Sequence, residues 1–348
     1  MTGPAGPRLP RIGFLGVGWI GRARMEALIE SGAGAVAGIC DPSRETLRTA
    51  RELAPEAEPA EDLEALLALD LDGVVIATPS ALHAAQAQRA LERGAAVFCQ
   101  KPLGRTAVEA EGVVAAARRA DRLLALDLCY RETAVARRIR EEVSSGALGP
   151  VYAADLVFHN AYGPDKEWYY DPARSGGGCL ADLGVHLVDL ALWMLDFPAV
   201  TGIGGRIYAA GELLDDDPDR VEDHAIAQLE LGGGGTVRIA CSWNLSAGTD
   251  AVISGTFHGA KATAAFRNVD GSFYDFRAER YDGRTRTVLA EPPDAWGGRA
   301  ILRWAERLAR DPGYDPDAER LVKLSRVIDA VYGRRSRPAD AGARADAA

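Results

Sequence analysis

The sequence predicts two domains in series: an α/β domain with a doubly wound parallel sheet, then an α+β domain built on antiparallel strands. Three observations carry this expectation. Short apolar runs alternate with segments of helical spacing through the first third. After about Leu128, strand after strand follows across glycine-rich and Asp-Gly turns. Near the N-terminus, a strand runs into a helix through three spaced glycines. At 348 residues the chain also exceeds the length at which one core usually suffices.

In chain order, Arg11–Leu15, Ala35–Cys40, Gly73–Ala77, Ala96–Cys99 and Leu123–Leu126 are short, continuously apolar strands. Such runs are buried on both faces, which implies a parallel sheet under helices. The helices between them are Ile20–Glu30, Ser43–Leu53, Ala81–Arg93 and Thr106–Ala120. One more helix, Arg131–Ser144, precedes a strand at Tyr152–His159 and a long apolar helix at Cys179–Leu195. Strands are then expected near 200–208, 224–231, 236–243, 252–258, 261–267, 272–280 and 284–289. Turns such as Gly232–Gly235 and Asp282–Gly283 mark antiparallel hairpins between neighbours. Helices at 298–310 and 317–332 close the fold. The resulting boundaries are 1–128 for the first domain, 129–333 for the second, and a disordered tail over 334–348.

The net charge of −10 disfavours nucleic acid or an anionic membrane as partner. Its longest like-charge run is the short acidic stretch Asp215–Asp217. The five cysteines have no CxxC or zinc-like spacing, which suits a reducing compartment and a cytoplasmic protein. No signal peptide is expected from residues 1–10. No uninterrupted apolar run reaches the ~18 residues of a membrane helix.

The first strand ends in Gly16-Val17-Gly18-Trp19-Ile20-Gly21, a G-x-G-x-x-G opening a helix. Gly16 permits the tight turn, Gly18 admits a pyrophosphate close to the backbone, and Gly21 allows close helix–strand packing. The helix N-terminus offers free N–H groups to phosphate. Asp41 ends the next strand, 20 residues after Gly21, where a carboxylate accepts from ribose hydroxyls and repels a 2′-phosphate. That favours NAD; Arg44, three residues on, leaves NADP open because its guanidinium can pair with such a phosphate.

Further segments carry a resemblance. Val74–Ser80 (VVIATPS) is followed by His83, then by Val97–Pro102 (VFCQKP), then by Ser175–His186 (SGGGCLADLGVH) with Asp189 after it. With the glycine loop, this ordered set resembles the glucose–fructose oxidoreductase / inositol dehydrogenase (Gfo/Idh/MocA) family over nearly the whole chain. The resemblance implies a Rossmann domain joined to an α+β domain with a large, open, mostly antiparallel sheet whose exposed face mediates a homodimer or homotetramer. It implies Thr78, Pro79, His83, Gln100 and Lys101 along the cofactor, with Gly16, Gly18, Trp19, Ile20, Gly21, Asp41 and Arg44. Two departures stand out. Gln100 replaces the family's usual glutamate, so Lys101 loses a neighbouring anion. The stretch Tyr130-Arg131-Glu132-Thr133-Ala134 lacks the family's proline three residues after the arginine.

Hydride transfer to or from a carbinol carbon needs a partner for the hydroxyl proton. The resemblance makes Lys101 the residue that polarises or protonates the substrate oxygen; without it, a Lys-Pro at a strand end reads as an exposed loop lysine. Asp182, His186 and Asp189 fall at i, i+4 and i+7 on one helix face. The resemblance implies an acid–base role for Asp182 and His186. A metal site or a capped core helix are the competing readings of that triplet. Tyr130, Arg131, Asn160 and Trp168 are the remaining substrate candidates, with Tyr169 and Tyr170 beside Trp168 in a polar loop suited to sugar C–H faces.

The expected function is NAD(P)-dependent hydride transfer on a secondary alcohol or ketone of a sugar, cyclitol or sugar derivative. Two alternatives remain: an NADP-dependent ketoreductase on a nucleotide-linked or antibiotic sugar, and a non-catalytic NAD-binding regulator. Lys101, Asp182 and His186 together count against the regulator, which needs no proton donor.

Overall fold

The structure, a computed structural model, describes residues 9–214 and 220–334. Asp215–Asp217 and the tail beyond Arg334 lie outside the described residues.

The first sheet has six parallel strands: β1 (Arg11–Leu15), β2 (Ala35–Cys40), β3 (Glu58–Pro59), β4 (Gly73–Ile76), β5 (Ala96–Cys99) and β6 (Leu124–Leu126). Their order is β3-β2-β1-β4-β5-β6. The strand order reverses between β1 and β4, and the crevice outside the carboxyl ends there is where dinucleotides bind in such sheets. The connecting helices are α1 (Trp19–Ser31), α2 (Arg44–Leu53), α3 (Leu63–Leu67), α4 (Ser80–Glu92) and α5 (Ala107–Ala120). Ser43, Asp62 and Thr106 cap α2, α3 and α5 through their side-chain oxygens. Strand β3 and helix α3 escaped the sequence reading, because two and five residues are too short to show a period.

The expected helix Arg131–Ser144 is two elements. A 3-10 turn covers Cys129–Glu132, and α6 (Ala134–Ser144) starts after Thr133, whose extended backbone and side-chain acceptor cap it. Strand β7 (Val151–Asn160) and the short α7 (Pro172–Ser175) follow. The long apolar helix is a π turn, Leu180–Gly184, running into α8 (Val185–Met194). The helical stretch Pro172–Met194 is long and apolar enough to cross a membrane by composition, but its apolar window is 89% buried in the protein. It is the core helix of the second domain.

The second sheet adds β8 (Val200–Ala209), β9 (Glu212–Leu213), β10 (His224–Leu231), β11 (Thr236–Ser242), β12 (Ala251–Gly259), β13 (Thr263–Asn268), β14 (Phe276–Asp282) and β15 (Thr285–Ala290). Its nine strands run β15-β14-β13-β12-β7-β11-β10-β8-β9. All pairs are antiparallel except β7 with β11, which lie parallel because two helices intervene between β7 and the strands that follow. One face packs on α6, α8 and α10 (Glu319–Val331).

Helix α9 (Arg299–Arg310) returns to the first sheet. Ile301, Trp304, Ala305 and Leu308 join the core of Ile12, Phe14, Val75 and Phe98. Gly73 leaves room for this: a Cβ there would stand 2.7 Å from the Trp304 ring. The first layer is thus completed from the far end of the chain.

The open face of the second sheet carries many polar side chains. Residues turned outward include Asp155, Arg238, Gln228, Glu230 and His159, with Ile226 the large exposed apolar side chain among them. Asp155 accepts from Arg238 at 2.5 Å across the β7–β11 pair. Most apolar residues of these strands alternate inward to the core, leaving a mixed outer face on which Val157, Ala240 and Val252 accompany the polar residues.

Candidate active site

The glycine loop has the geometry its spacing predicts. Gly16 adopts φ +86°, and a Cβ there would lie 2.5 Å from the Ala77 carbonyl oxygen. A Cβ at Gly21 would lie 2.1 Å from the Gly16 carbonyl oxygen, whereas one at Gly18 would meet nothing within 4 Å. The open side of Gly18 at the start of α1 therefore has the room that a pyrophosphate needs. Trp19 is 70% exposed beside it and Ile20 is half-buried. Asp41 accepts from the Val17 amide through Oδ2 and from the Ser43 amide through Oδ1, each at 2.9 Å. The carboxylate is fixed at the loop with lone pairs left for ribose hydroxyls. Arg44, exposed at the first turn of α2, makes no ion pair among the described residues.

Thr78 donates to Gln86 at 2.6 Å, and Pro79 leads into α4. His83 is buried, with Nε2 2.7 Å from the Thr78 carbonyl and Nδ1 2.7 Å from the Pro102 carbonyl. Both ring nitrogens lie against protein carbonyls, so His83 ties the Thr78 and Pro102 loops together. Gln100 is also buried, and its amide donates to Asp127 at 2.5 Å.

Lys101 crosses between the two domains. Its ammonium donates to the Asp182 carboxylate at 2.5 Å and to the Asp182 carbonyl at 2.8 Å. The anion that the glutamine at 100 does not supply comes instead from the π turn. Burial is the largest influence and works against the ammonium, but the Asp182 charge, the nearby Tyr169 and the hydrogen bond to Asp182 together outweigh it and hold Lys101 above its ordinary range. The other Asp182 oxygen accepts from the Trp243 indole at 3.2 Å. His186 follows on the same helical stretch, its ring 4.9 Å from that of Tyr130. Burial, then the charges of Lys101 and Arg24, push its imidazole well below the usual range. Both influences favour the neutral ring, and neither nitrogen bonds to protein among the described residues.

The glycines before Asp182 have a structural cause. Glu222 accepts from the Gly178 amide at 2.9 Å, the Leu180 amide at 2.8 Å and the Tyr332 hydroxyl at 2.8 Å. A Cβ at Gly178 would lie 1.9 Å from the Glu222 carbonyl oxygen, and one at Gly177 would lie 2.0 Å from the Tyr332 hydroxyl. Only glycines let this buried carboxylate cap the turn that carries Asp182.

Asp189 and Arg131 leave the site. Arg131 Nε donates to Asp189 Oδ2 at 2.7 Å and Nη2 donates to Oδ1, while the guanidinium packs on Trp193 and Phe197. Arg131 thus anchors α8 and is not available to a substrate, contrary to the sequence expectation; its bidentate match to a carboxylate explains why. With Asp189 engaged there, the acid–histidine–acid triplet does not converge. Among the described residues no group of three or more His, Cys, Asp or Glu side chains is placed to hold a metal ion. Tyr130 packs edge-on against Phe158 and His186 and tilted on Trp296. Asn160 ends β7 with a buried, unpartnered Oδ1. Trp168 stacks on Tyr169 at 3.8 Å, and Tyr169 and Tyr170 both approach the Trp243 ring. Trp243 and Glu222 were missed by sequence reasoning; neither lies in a recognisable motif, and only strand pairing brings them to Asp182.

A glycine loop open to a dinucleotide, with a part-buried lysine–aspartate pair and a buried histidine unbonded to protein among the described residues, defines an NAD(P)-dependent oxidoreductase. Residues 10–128 match the oxidoreductase family with an NAD-binding Rossmann fold, and residues 136–265 match the GFO/IDH/MocA C-terminal domain. The chain belongs to the GFO/IDH/MocA family. It is 28% identical to D-glucoside 3-dehydrogenase of Escherichia coli strain K12 over 310 residues, covering 84% of this chain and 86% of that protein. To D-xylose 1-dehydrogenase (NADP(+)) 2 of Haloferax volcanii it is 32% identical over 276 residues, covering 77% and 80%. Its fold superposes on levoglucosan dehydrogenase in complex with NADH with a TM-score of 0.80 at 18% identity, covering 93% of this chain and 96% of that one.

Proposed function

We propose that this oxidoreductase is an NAD-preferring dehydrogenase, or a reductase in the reverse direction, acting on a secondary alcohol of a sugar, cyclitol or sugar derivative. The observation that carries the reading is the Lys101–Asp182 pair with His186, unbonded to protein among the described residues, one turn further along the helical stretch that carries Asp182. Gly16, Gly18 and Gly21 would hold the pyrophosphate and Asp41 the ribose. When bound, the cofactor supplies a hydride acceptor or donor at its nicotinamide. Asp182 holds the Lys101 ammonium in place, and that ammonium stabilises negative charge on the substrate oxygen. His186 takes the hydroxyl proton in oxidation and returns it in reduction. Trp168, Tyr169, Tyr170 and Trp243 form an aromatic wall next to Asp182 that suits the C–H faces of a sugar ring. The carbohydrate names of the relatives support the same class.

Arg44 supports a second reading in which NADP serves as well, since its guanidinium is free beside Asp41. We place the protein in the reducing cytoplasm because its five cysteines are all unpaired, Cys179 and Cys241 included at 3.9 Å between sulfurs. A homodimer or homotetramer through the open nine-stranded face remains part of the proposal, with its support in the unlidded sheet and not in apolarity. Light scattering that gave a monomer at micromolar concentration would remove that part.

The deciding experiment follows NADH and NADPH absorbance across D-glucosides, aldoses, inositols, other polyols and aminosugars. Turnover on at least one is the expected result. Tight NAD binding with no hydride transfer on any of them would put the regulator reading in its place.

A further inference from the structure

Two runs of aromatic contact leave the active centre and meet at the protein surface. From Asp182 one run passes to Trp243, whose indole donates to the carboxylate at 3.2 Å, and on to Tyr170, the ring centroids 5.7 Å apart. The Tyr170 hydroxyl lies against the backbone of Gly163, where a Cβ would stand 2.2 Å from it, and the neighbouring Tyr162 meets Phe273 at 6.1 Å. From His186 the other run passes to Tyr130 at 4.9 Å, to Trp296 at 5.1 Å and to Tyr274 at 6.2 Å. Phe273 and Tyr274 are adjacent in the chain, so the two runs close into one rim.

The outer members of this rim face water. Tyr162 is 52% exposed and Tyr274 56%. Five aromatic side chains are largely exposed among the described residues; Tyr162, Tyr170 and Tyr274 stand on the rim, Trp19 stands at the glycine loop, and Tyr152 alone lies elsewhere. Such clustering marks a binding surface rather than scattered exposure. The loop carrying Phe273 and Tyr274, between β13 and β14, is also held in place. Asn268 donates to the Ala251 carbonyl at 2.9 Å and to the Ser272 carbonyl at 3.0 Å, and the Ser272 hydroxyl donates to Asp275 at 3.0 Å. The Trp296 indole donates to the Tyr274 carbonyl at 2.9 Å. The rings are thus presented before a ligand arrives, which lowers the ordering cost of binding.

Charge narrows the ligand. On the loop after β7, Asp165, Lys166 and Glu167 leave an excess negative charge, with Lys166 already paired to Asp165 at 3.1 Å. The loop between β13 and β14 adds Asp270 and Asp275. Such a rim repels a diphosphate and suits an uncharged ring.

We propose that the rim is an outer subsite for a second, uncharged ring. The preferred substrate is then a glycoside whose reacting sugar sits at Lys101 and His186 and whose aglycone or second sugar lies against Tyr162 and Tyr274. Tyrosine packs on the face of an arene and on the C–H face of a sugar alike. This rests on the sugar oxidoreductase reading above.

The test is calorimetric titration of the NAD-saturated protein with probes that share a reacting sugar. Methyl β-D-glucoside is compared with phenyl β-D-glucoside and cellobiose, methyl β-D-xyloside with xylobiose, and UDP-glucose serves as the charged control. At least one two-ring probe is expected to bind about tenfold more tightly than its methyl counterpart, the phenyl and disaccharide arms telling which second ring is preferred. Replacing both exposed tyrosines, Tyr162→Ser with Tyr274→Ser, should bring that ratio below about twofold while the methyl glycoside loses less than about threefold; the single variants serve if the double one does not fold. No advantage for any two-ring probe, an advantage that survives loss of both tyrosines, or UDP-glucose binding more tightly than phenyl glucoside overturns the proposal. Because binding is read without turnover, that failure is distinct from failure of the catalytic assignment, which would appear as tight binding with no NADH formed.

Discussion

Lys101 and Asp182, 81 positions apart, form a bond that joins the two domains: one ammonium donates to both the carboxylate and the backbone carbonyl of the same aspartate. The first contact supplies the countercharge and the second fixes direction, so the lysine cannot swing away when the carboxylate is engaged by a ligand. Predictions about the chemistry start from this contact.

Loss of either proton-handling group should affect turnover far more than cofactor binding. Lys101→Met removes the charge and all three donors, and His186→Asn removes the titrating ring. Each is expected to lower turnover by roughly a hundredfold or more, with NAD affinity nearly intact. In combination the effects should be less than additive, because both groups serve one oxygen. Steady-state rates on the best substrate, beside calorimetric NAD titration, check this; near-normal turnover in either variant removes that residue from the mechanism.

The pH dependence follows from the depressed imidazole of His186. A ring whose folded pKa lies below its unfolded value of ~6.5 stays proton-free as the pH falls through that value. The acid limb of kcat/KM for alcohol oxidation should therefore lie below the ordinary imidazole position of ~6.5. Stability has the corresponding sign. The unfolded chain takes up a proton near ~6.5 that the buried ring refuses, so this contribution declines as the pH falls below that point. The stability advantage of the parent over His186→Asn should accordingly be smaller at pH ~5.5 than at ~7.5 in urea unfolding. An advantage that grew on acidification would contradict the burial argument.

Asp41 should decide the cofactor. Its carboxylate is held by two backbone amides at the glycine loop, where it accepts from ribose and repels a 2′-phosphate. NAD(H) is expected to bind more tightly than NADP(H). Asp41→Ser should weaken NAD by about tenfold or more and narrow or reverse the gap, with Arg44 free to pair with the extra phosphate. Tighter binding of NADP(H) to the parent would sink this assignment.

Glu222 offers a test of how the π turn is held. Glu222→Ala would leave the Gly178 and Leu180 amides without an acceptor in a buried place, at a cost of about 3 kcal/mol or more. Tyr332→Phe removes one donor to the same carboxylate and should cost about 1 kcal/mol. Urea midpoints with unchanged slopes would measure both. A Glu222→Ala variant as stable as the parent would show that water replaces the cap.

The sequence by itself determined whatever is encoded within a few residues of itself. The parallel strands showed as unbroken apolar runs, the cradle as three glycines between strand and helix, and the ribose carboxylate as an acid at the next strand end. Most strands of the second sheet were readable within a few residues, because polar and apolar positions alternate and turns separate them. Elements too short for a period, such as β3 and α3, were not. Only the tertiary structure decided which charges meet. Asp189 looked like a site residue by spacing and Arg131 by the family resemblance, yet a bidentate fit across 58 positions engages each with the other. Asp127, Glu222 and Trp243 showed no local signal, because a buried carboxylate or indole is placed by donors and acceptors from distant segments. His83 is engaged in the same way, by carbonyls on either side of its ring. The second sheet's open face likewise depended on which side of each strand turned inward, and its mixed character followed from most apolar side chains being used by the core. Local physics writes strands, helices and glycine turns into the chain, whereas pairing of buried polar groups is a long-range choice made only when the layers close.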